Sequence, residues 1–457
     1  MNAGNADALE ERLQVQGLSA SEARRKGELF EQVDAALATA SDGSGGDASG
    51  EPARRWFVPG RIEILGKHTD YAGGRSLLCT AGRGFCVAAA PRADRIVRIT
   101  DVARGLTAEV VLDADLAPDA TGWEIYAQAV AARVARNFPG ALRGVEIALA
   151  SDLPRASGLS SSSALVVSLF TAIASANALE NHPAYAENIR APEDLGAYLG
   201  GVENGRAFRG LDGEGGVGTH GGSEDHVAIL CARRGEIAQF VFDPARLERA
   251  IPLEEDWSFV IGASGIPADK SGDAREKYNR LPLAVAAILE LWNRSAKRAD
   301  ASLFAAAAEV PDAGERIRNL LRVLPVPGFS PNFLTGRLDQ FLEESLELIP
   351  RVADHLARGD VVLAGPLVDR SQELAEKFLD NQIPETVTLA RSARQLGAAA
   401  ASAFGGGFGG SVWALVRTTD ADSFRKRWAE RYAQEFPHPT QRSRFFTTRP
   451  GPPAFEI

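Results

Sequence analysis

The sequence predicts an α+β fold in two lobes, preceded by a helical N-terminal arm. The chain has 457 residues, which is more than one compact core usually holds. Short segments with the two-residue apolar period of strands are mixed with helical segments, without the regular alternation of a doubly wound sheet. We place the arm and a linker at 1–50, the first lobe at 51–245 and the second lobe at 246–457.

Each element is predicted from its local pattern. Residues 9–39 have the apolar spacing of one or two amphipathic helices, and the polar tract at 41–50 has the composition of a flexible linker. The other predicted elements are strands at 61–65, 85–90, 96–100, 110–112, 145–150, 227–230 and 412–416, and helices at 123–137 and over most of 281–355.

Composition excludes several classes of partner. The net charge is −10 and no block of lysine or arginine stands out, so neither nucleic acid nor an anionic membrane surface is an expected partner. No apolar run reaches the ~18 residues of a membrane helix, and the first residues lack the pattern of a secretory signal. The three cysteines have no metal-ligand spacing, so we expect buried thiols and a cytoplasmic protein.

The most informative stretch is 59–76, which reads PGRIEILGKHTDYAGGRS. Ile62 and Ile64 alternate with charged residues, as in a half-buried strand, and a glycine break follows. The polar side chains of this stretch are Arg61, Lys67, His68 and Asp70. A strand that ends in such a turn can present a polar site to a small molecule. The alternative is a charged surface loop.

A run of serines at 153–169, LPRASGLSSSSALVVSL, predicts a phosphate-binding loop. A buried helix that begins in small hydroxyl residues leaves free N–H groups at its positive end, where an anion can approach the backbone. Ordinary N-capping would need only one serine. The candidate nucleotide-binding residues here are Gly158, Leu159, Ser160, Ser161, Ser162 and Ser163.

A second glycine run, FGGGFGGS at 404–411, satisfies G-x-G-x-x-G. It precedes a predicted strand near the C-terminus, whereas a dinucleotide fingerprint follows a strand and opens a helix. We therefore interpret Gly405 and Gly407 as part of a loop that packs against a ligand or the other lobe. The alternative is a tight turn.

Two acidic residues are candidates for chemistry. Glu203 lies in a predicted helix, and Asp225 lies between a glycine-dense loop and the strand predicted at 227–230. Phosphoryl transfer needs a metal ion on the phosphates and benefits from a carboxylate that orients the attacking hydroxyl. Glu203 with a serine hydroxyl could hold the metal, and Asp225 could act as base, with Glu224 as the second choice.

Together, three separated segments resemble the GHMP kinase superfamily, and its galactokinase branch in particular. The family's first motif, PGR-x-x-x-x-GEHTDY-x-GG, is similar to PGRIEILGKHTDYAGG. Its second motif, P-x-x-x-GLSSS, is similar to 154–164, and its third, a GAGFGG-like run, to 405–410. The order and spacing of the three motifs make the resemblance specific, and it extends from about residue 55 to about residue 430.

The resemblance implies a two-lobed fold with the active site in the cleft between the lobes. It also implies ATP and Mg²⁺ as cofactors and a sugar phosphorylated at its anomeric hydroxyl. By position in the motifs, Ser162 and Glu203 resemble the metal ligands, Asp225 the catalytic carboxylate and Arg61 the arginine that holds it. The implied sugar ligands are Arg61, Lys67, His68, Asp70, Asp225 and Tyr278.

Departures from the family motifs leave alternatives open. Lys67 replaces the family's glutamate, Glu63 replaces an asparagine, and His226 follows Asp225 where the family has glutamine. An ammonium reverses the hydrogen-bond sense at one corner of a sugar pocket. One hypothesis is therefore that Lys67 selects galacturonate through its carboxylate. The other is that Lys67 binds a neutral hydroxyl or pairs with an acid such as Glu63.

Two further functions fit the same fold. A catalytically silent sensor of sugar and ATP is mildly favoured by the long N-terminal arm, but it would not need Arg61 and Asp225 together. A kinase for a non-sugar alcohol, such as mevalonate or homoserine, is disfavoured by the HTDY cluster. The leading interpretation is an ATP-dependent, galactokinase-like sugar 1-kinase.

Overall fold

The computed structural model describes residues 3–43, 51–154, 157–268, 272–438 and 441–457. The chain has the expected α+β organisation, with two β-sheets and three groups of helices. The strands are β1 Arg54–Leu65, β2 Arg75–Pro91, β3 Ile96–Asp101, β4 Leu106–Val111, β5 Val145–Ser151, β6 Glu236–Val241, β7 Arg246–Pro252, β8 Trp257–Ala263, β9 Ala400–Ala403, β10 Ser411–Arg417, β11 Arg444–Thr448 and β12 Phe455–Glu456.

The helices follow the predicted distribution, and most of them lie in the second half of the chain. They are α1 Ala3–Gln16, α2 Ala20–Gly43, α3 Glu124–Asn137, α4 Ser161–Asn177, α5 Pro183–Asn188, α6 Pro192–Asn204, α7 Glu224–Cys231, α8 Gly272–Ala296, α9 Leu303–Glu309, α10 Ala313–Val323, α11 Pro331–Leu342, α12 Ile349–Ala357, α13 Val361–Leu374, α14 Pro384–Gln395 and α15 Ala421–Glu435. π-Helical turns at Glu343–Leu348 and Ala375–Leu379 extend α11 and α13.

The larger sheet is organised around the long strand β2. Along its length β2 pairs antiparallel with β1, β5 and β6. The sheet order is β12-β1-β2-β5-β3-β4, with β6 and β7 attached to β2. The pair β3–β5 is parallel, while the other strand pairs described in this sheet are antiparallel.

Both faces of this sheet are covered, as its two-residue apolar period requires. Val58, Val87 and Leu149 point to the face that packs on α3, α4 and α6. Phe57 and Cys86 point to the opposite face, where the N-terminal hairpin α1–α2 covers them with side chains that include Leu13 and Phe30. The arm is therefore packed on the sheet rather than separate from it.

The smaller sheet, in the order β11-β8-β10-β9, is antiparallel. One face packs on α14 and α15 through side chains that include Leu389 and Trp428. The other face contributes Phe259 and Trp413 to the core of the larger sheet. Helices α8–α11 form a separate apolar layer that also buries Ala72. The two sheets thus share a core, which fixes the orientation of one relative to the other.

Three expectations differ from the structure. Residues 227–230 lie in helix α7 and not in a strand, because a short apolar run has no periodicity that separates the two. The boundary predicted at 245 falls between β6 and β7, which are paired strands of one sheet. Helix α2 extends to Gly43, three residues into the predicted linker, and 44–50 lie outside the described residues. Within the described residues, no helix has both the length and the apolarity to cross a membrane.

Candidate active site

The three motifs and both acidic candidates meet around one cleft. Its walls come from the end of β1 and the loop after it, the first turns of α4 and α7, the end of α6, and the glycine run before β10. The predicted residues that line it are Arg61, His68, Asp70, Ser163, Glu203, Asp225, Tyr278 and Gly405. The space is narrow, about 50 Å³, which is room for a few water molecules. A larger ligand requires the walls to move apart.

At the centre of the cleft, Arg61 and Asp225 form an ion pair. Arg61 Nε donates to Asp225 Oδ1 at 2.5 Å, and Arg61 Nη1 donates to the carbonyl of Gly158 at 2.6 Å. One guanidinium therefore joins the first motif to the serine-rich loop and to the acidic helix. Burial disfavours its charge, but the carboxylates of Asp225 and Glu63 raise the pKa of Arg61 above its ordinary value.

Two further carboxyl groups lie beside Arg61. Glu63 Oε2 is 3.6 Å and Glu224 Oε1 is 3.9 Å from Arg61 Nη2. Burial raises the pKa of Glu63, and the charge of Arg61 opposes that effect. Burial, with the charges of Glu63 and Asp70, also raises the pKa of Glu224 well above its ordinary value.

Asp70 fixes the turn of the first motif against helix α7. Its Oδ2 accepts a hydrogen bond from the backbone N–H of Glu224 at 3.1 Å, in the first turn of α7, where a negative charge is favourable. Gly222 permits this approach, since a Cβ there would lie 2.0 Å from Asp70 Oδ2. Burial raises the pKa of Asp70, and hydrogen bonds from backbone N–H groups oppose that effect.

His68 and Tyr278 form the aromatic side of the cleft. Their ring centroids are 5.2 Å apart, and His68 Nδ1 lies 3.0 Å from the hydroxyl of Tyr71. His68 has a positive φ of 59°, which is uncommon outside glycine. Arg337 holds the strained residue in place by donating to its carbonyl. Burial, with the charge of Asp70, raises the pKa of Tyr278 well above its ordinary value.

The hydroxyl that lies between Glu203 and Asp225 is that of Ser163, one residue beyond the predicted Ser162. Ser163 Oγ donates to Glu203 Oε2 at 3.0 Å and lies 3.4 Å from Asp225 Oδ2. His226 Nε2 is also 3.0 Å from Glu203 Oε2. Position in the family motif predicts Ser162 as the metal ligand, whereas the helical turn that starts at Ser161 directs Ser163 to the carboxylates.

Glu203 and the adjacent hydroxyl fit a magnesium ion that keeps part of its water shell. Among the described residues, no group of three metal-ligating histidine, cysteine or acidic side chains occurs. Mg²⁺ in phosphoryl-transfer sites commonly takes one or two carboxylates, and the phosphates and waters complete the octahedron. The donor set is therefore adequate for Mg²⁺ bound together with a nucleotide.

The serine-rich loop has the features of an anion site. Helix α4 begins at Ser161, and Ser160 before it has a positive φ of 56°, so its side chain does not cap the helix. The buried hydroxyls of Ser157, Ser160 and Ser411 have no hydrogen-bond partner among the described residues. Unsatisfied buried donors carry a free-energy cost that a phosphate oxygen would remove.

The glycine run closes the cleft from the second lobe. The backbone N–H of Gly405 donates to Glu63 Oε2 at 3.2 Å, and a Cβ at this position would lie 2.5 Å from Glu63 Oε1. Asn381 Nδ2 donates to the carbonyl of Gly405 at 2.7 Å. Gly407 packs on Asn381 and does not line the cleft. The run therefore joins the two lobes at Glu63, as its glycine content led us to expect.

Lys67 faces away from the cleft. Its side chain is 0% exposed, and Nζ donates to Ser371 Oγ at 3.1 Å. The Ser371 hydroxyl in turn donates to Glu344 Oε1 at 3.0 Å. The ammonium thus holds two C-terminal helical segments against the first motif. This position does not support Lys67 as a substrate ligand, and the galacturonate hypothesis loses the contact on which it depended.

Some lining residues were missed by the sequence interpretation. Glu63 and His226 were noted as departures from a motif but were given no role. Tyr71 is part of the quoted first motif, so its position was available as a signal. Asn204 and Thr219 carry no distinctive pattern, and only the fold brings them to the cleft.

The chain resembles known proteins over most of its length. Residues 47–91 match the galactokinase galactose-binding signature, residues 125–205 the GHMP kinases N terminal domain, and residues 352–434 the GHMP kinases C terminal domain. The first two matches contain the first motif, the serine-rich loop and Glu203.

Three galactokinases illustrate the similarity in sequence. That of Roseiflexus sp. is 28% identical over 82% of this chain and 86% of its own length. That of Chloroflexus aggregans is 29% identical over 82% and 86%. That of Haemophilus influenzae is 25% identical over 82% and 88%.

The fold is likewise similar to that of solved structures. Lactococcus lactis galactokinase complexed with galactose superimposes with a TM-score of 0.73 at 22% identity, over 93% of this chain and 99% of that one. Methanococcus jannaschii mevalonate kinase superimposes with a TM-score of 0.52 at 15% identity, over 88% and 99%.

The buried acidic cluster predicts a pH-dependent effect of Glu224→Gln on stability. The pKa of Glu224 is raised in the folded protein, so its favourable contribution is complete below its ordinary value of 4.5 and is lost as the pH rises through the folded value. Glutamine does not ionise, so the variant loses no stability by this route. We expect the variant to gain stability over the parent as the pH rises above about 4.5, by at most about 1.4 kcal/mol per pH unit.

Urea unfolding at about pH 5 and about pH 8 measures this difference. The control is Glu373→Gln, at a side chain that is 67% exposed, for which the free-energy difference should stay within about 0.5 kcal/mol at both pH values. A stability difference between variant and parent that stays constant, or that moves against the variant, from about pH 5 to about pH 8 would contradict the raised pKa of Glu224.

Proposed function

Because the chain belongs to the GHMP kinase superfamily, and to its galactokinase-like branch, we propose that it transfers the γ-phosphoryl group of ATP to the anomeric hydroxyl of galactose. The observation that carries the proposal is the Arg61–Asp225 pair, which lies beside Ser163 and Glu203 in the same cleft. A carboxylate for the acceptor hydroxyl and donors for the phosphates are thus within one site.

The first motif supports galactose as the acceptor. It lies within the match to the galactose-binding signature and contributes Arg61, His68 and Asp70 to the cleft. Carboxylate, imidazole and guanidinium groups can together donate to and accept from several sugar hydroxyls. Tyr278 adds an apolar ring face against which a sugar ring can pack.

In the proposed reaction, Asp225 orients the anomeric hydroxyl and accepts its proton. The hydroxyl oxygen forms the new bond to phosphorus while the bond from the γ-phosphorus to the bridging oxygen breaks, and ADP leaves with that electron pair. Arg61 keeps Asp225 ionised and oriented, since it is bound to it at 2.5 Å. It also adds positive charge beside the transferring group.

The serine-rich loop is proposed to bind the nucleotide phosphates. The free N–H groups at the start of α4 and the unpaired hydroxyls of Ser157 and Ser160 are the donors. Gly405 and the loop around it would cover the phosphates from the second lobe. Glu203, with the hydroxyl of Ser163 or Ser162, would hold Mg²⁺, which when bound supplies positive charge to the phosphate oxygens.

Replacing Asp225 by asparagine tests the assignment of the base. Asparagine keeps the shape but accepts no proton, so kcat should fall by roughly a hundredfold or more while the affinity for ATP stays within a few-fold. A coupled assay of ADP release with galactose measures kcat, and calorimetry measures ATP binding. The matched control is Asp256→Asn, at a side chain that is 75% exposed. Near-normal turnover by Asp225→Asn would show that Asp225 is not the base.

Galactose should be preferred to galacturonate by more than about tenfold in kcat/KM. The cleft is lined by Glu63, Asp70 and Asp225, which would repel a substrate carboxylate, and the Lys67 ammonium is turned away from it. Lys67→Met should therefore leave the ratio of the two kcat/KM values unchanged. A preference for galacturonate, or a ratio that moves in Lys67→Met, would contradict this account.

Turnover should also depend on a divalent cation held by Glu203. Chelation with EDTA should abolish ADP release, and added Mg²⁺ should restore it. Glu203→Gln should raise the Mg²⁺ concentration needed for half-maximal rate by about tenfold or more, because a carboxylate ligand is lost. The control is Glu373→Gln. An unchanged Mg²⁺ requirement would show that Glu203 is not a ligand.

A further inference from the structure

A second, larger cavity lies where the N-terminal hairpin meets both sheets. Its volume is about 730 Å³, within the usual range for small-molecule sites. The turn between α1 and α2 forms one wall, and Arg83 of β2, residues 445–451 around the end of β11 and the first turn of α15 form the others. It shares no lining residue with the active-site cleft.

The lining of this cavity is basic although the chain as a whole is acidic. Five arginines line it, against three acidic residues: Arg25, Arg83, Arg234, Arg425 and Arg449 against Glu22, Glu255 and Asp422. Glu22 is already engaged, since its Oε2 accepts from the backbone and hydroxyl of Ser19. The surplus of guanidinium groups favours a negatively charged occupant.

The positive charge is concentrated near one shared carboxylate. Asp152 Oδ2 accepts from Lys26 Nζ at 2.5 Å and lies 3.9 Å from Arg25 Nε. Its other oxygen, Oδ1, accepts from the backbone N–H of Gly84. The Asp152 carboxylate is therefore paired mainly with Lys26, and it compensates the positive charge of Arg25 only weakly.

Arg83 adds a third cation near the same carboxylate. It stacks on the ring of Phe446 at 3.9 Å and donates to the Asp152 carbonyl at 3.0 Å. Among the described residues it has no carboxylate within 4.0 Å. Burial lowers the pKa of Arg83, and the nearby charge of Arg25 adds to this, while the carboxylates of Asp152 and Glu22 oppose it. A guanidinium held by stacking, with donors to spare, is a common setting for phosphate recognition.

We propose that this cavity binds a small phosphate-bearing metabolite, with Arg25 and Arg83 as its principal ligands. Phosphate suits the site better than a single carboxylate because it offers more oxygens and a second negative charge to the several guanidinium groups. The arm then has a function, since without its α1–α2 turn the cavity has no outer wall. The proposal does not depend on the proposed kinase activity.

Titration of the full-length protein with inorganic pyrophosphate, followed by calorimetry, tests the site. Arg25→Gln should weaken binding by about tenfold or more. Arg25 is suited to this test because its side chain is 45% exposed, so the variant should fold. Arg24→Gln is the matched control, since Arg24 is the adjacent exposed arginine on α2 but does not line the cavity.

A second variant and a second probe complete the test. Arg83→Gln should weaken binding at least as much as Arg25→Gln does, and citrate should bind more weakly than pyrophosphate. If Arg25→Gln and Arg24→Gln bind pyrophosphate with equal affinity, this cavity is not the binding site. The measured binding would then be to the serine-rich loop. Equal affinity for citrate and pyrophosphate would overturn the choice of phosphate. The two binding results do not depend on the proposed kinase activity, and they hold whether or not Asp225→Asn loses turnover.

Discussion

The structure of the active site depends on one buried arginine. Arg61 bonds the carboxylate of Asp225 and the carbonyl of Gly158, so one side chain fixes three segments that are far apart in the chain. A buried guanidinium is stable only where carboxylates and carbonyls surround it. The position of the base and the position of the phosphate loop are therefore set by the same electrostatic requirement.

The same requirement explains why so many carboxyl groups lie in the cleft. Glu63 and Glu224 lie beside Arg61 together with Asp225, and three carboxylates could not all be ionised beside one cation. Burial raises the pKa of both Glu63 and Glu224, whereas Asp225 is the carboxylate closest to Arg61, at 2.5 Å. Glu63 also accepts from Gly405, so the glycine run of the second lobe is joined to this network.

The replacement of the family's glutamate by Lys67 has consequences for packing. The ammonium is buried against Ser371, whose hydroxyl reaches Glu344. The replacement therefore does not reverse the charge of the ligand cleft. Instead, the Lys67 ammonium holds the helical layer behind the cleft in place. Among the lining residues that the structure describes, Arg61 is the one lysine or arginine, which is consistent with a neutral sugar and a metal-bound nucleotide as ligands.

The sequence by itself determined the α+β class, the family and about half of the described lining residues, because each motif combines a local backbone conformation with the side chains that need it. PGR-x-x-x-x-GKHTDY and GLSSSS can be identified without knowledge of any contact. The tertiary structure decided what depends on direction. Ser163 and not Ser162 meets Glu203, and Lys67 points away from the cleft. The 227–230 run is part of helix α7, whose Val227 and Ala228 are buried against β2 and β6. Whether a side chain faces a ligand or a neighbouring helix is set by packing between distant segments, and a motif does not encode that packing.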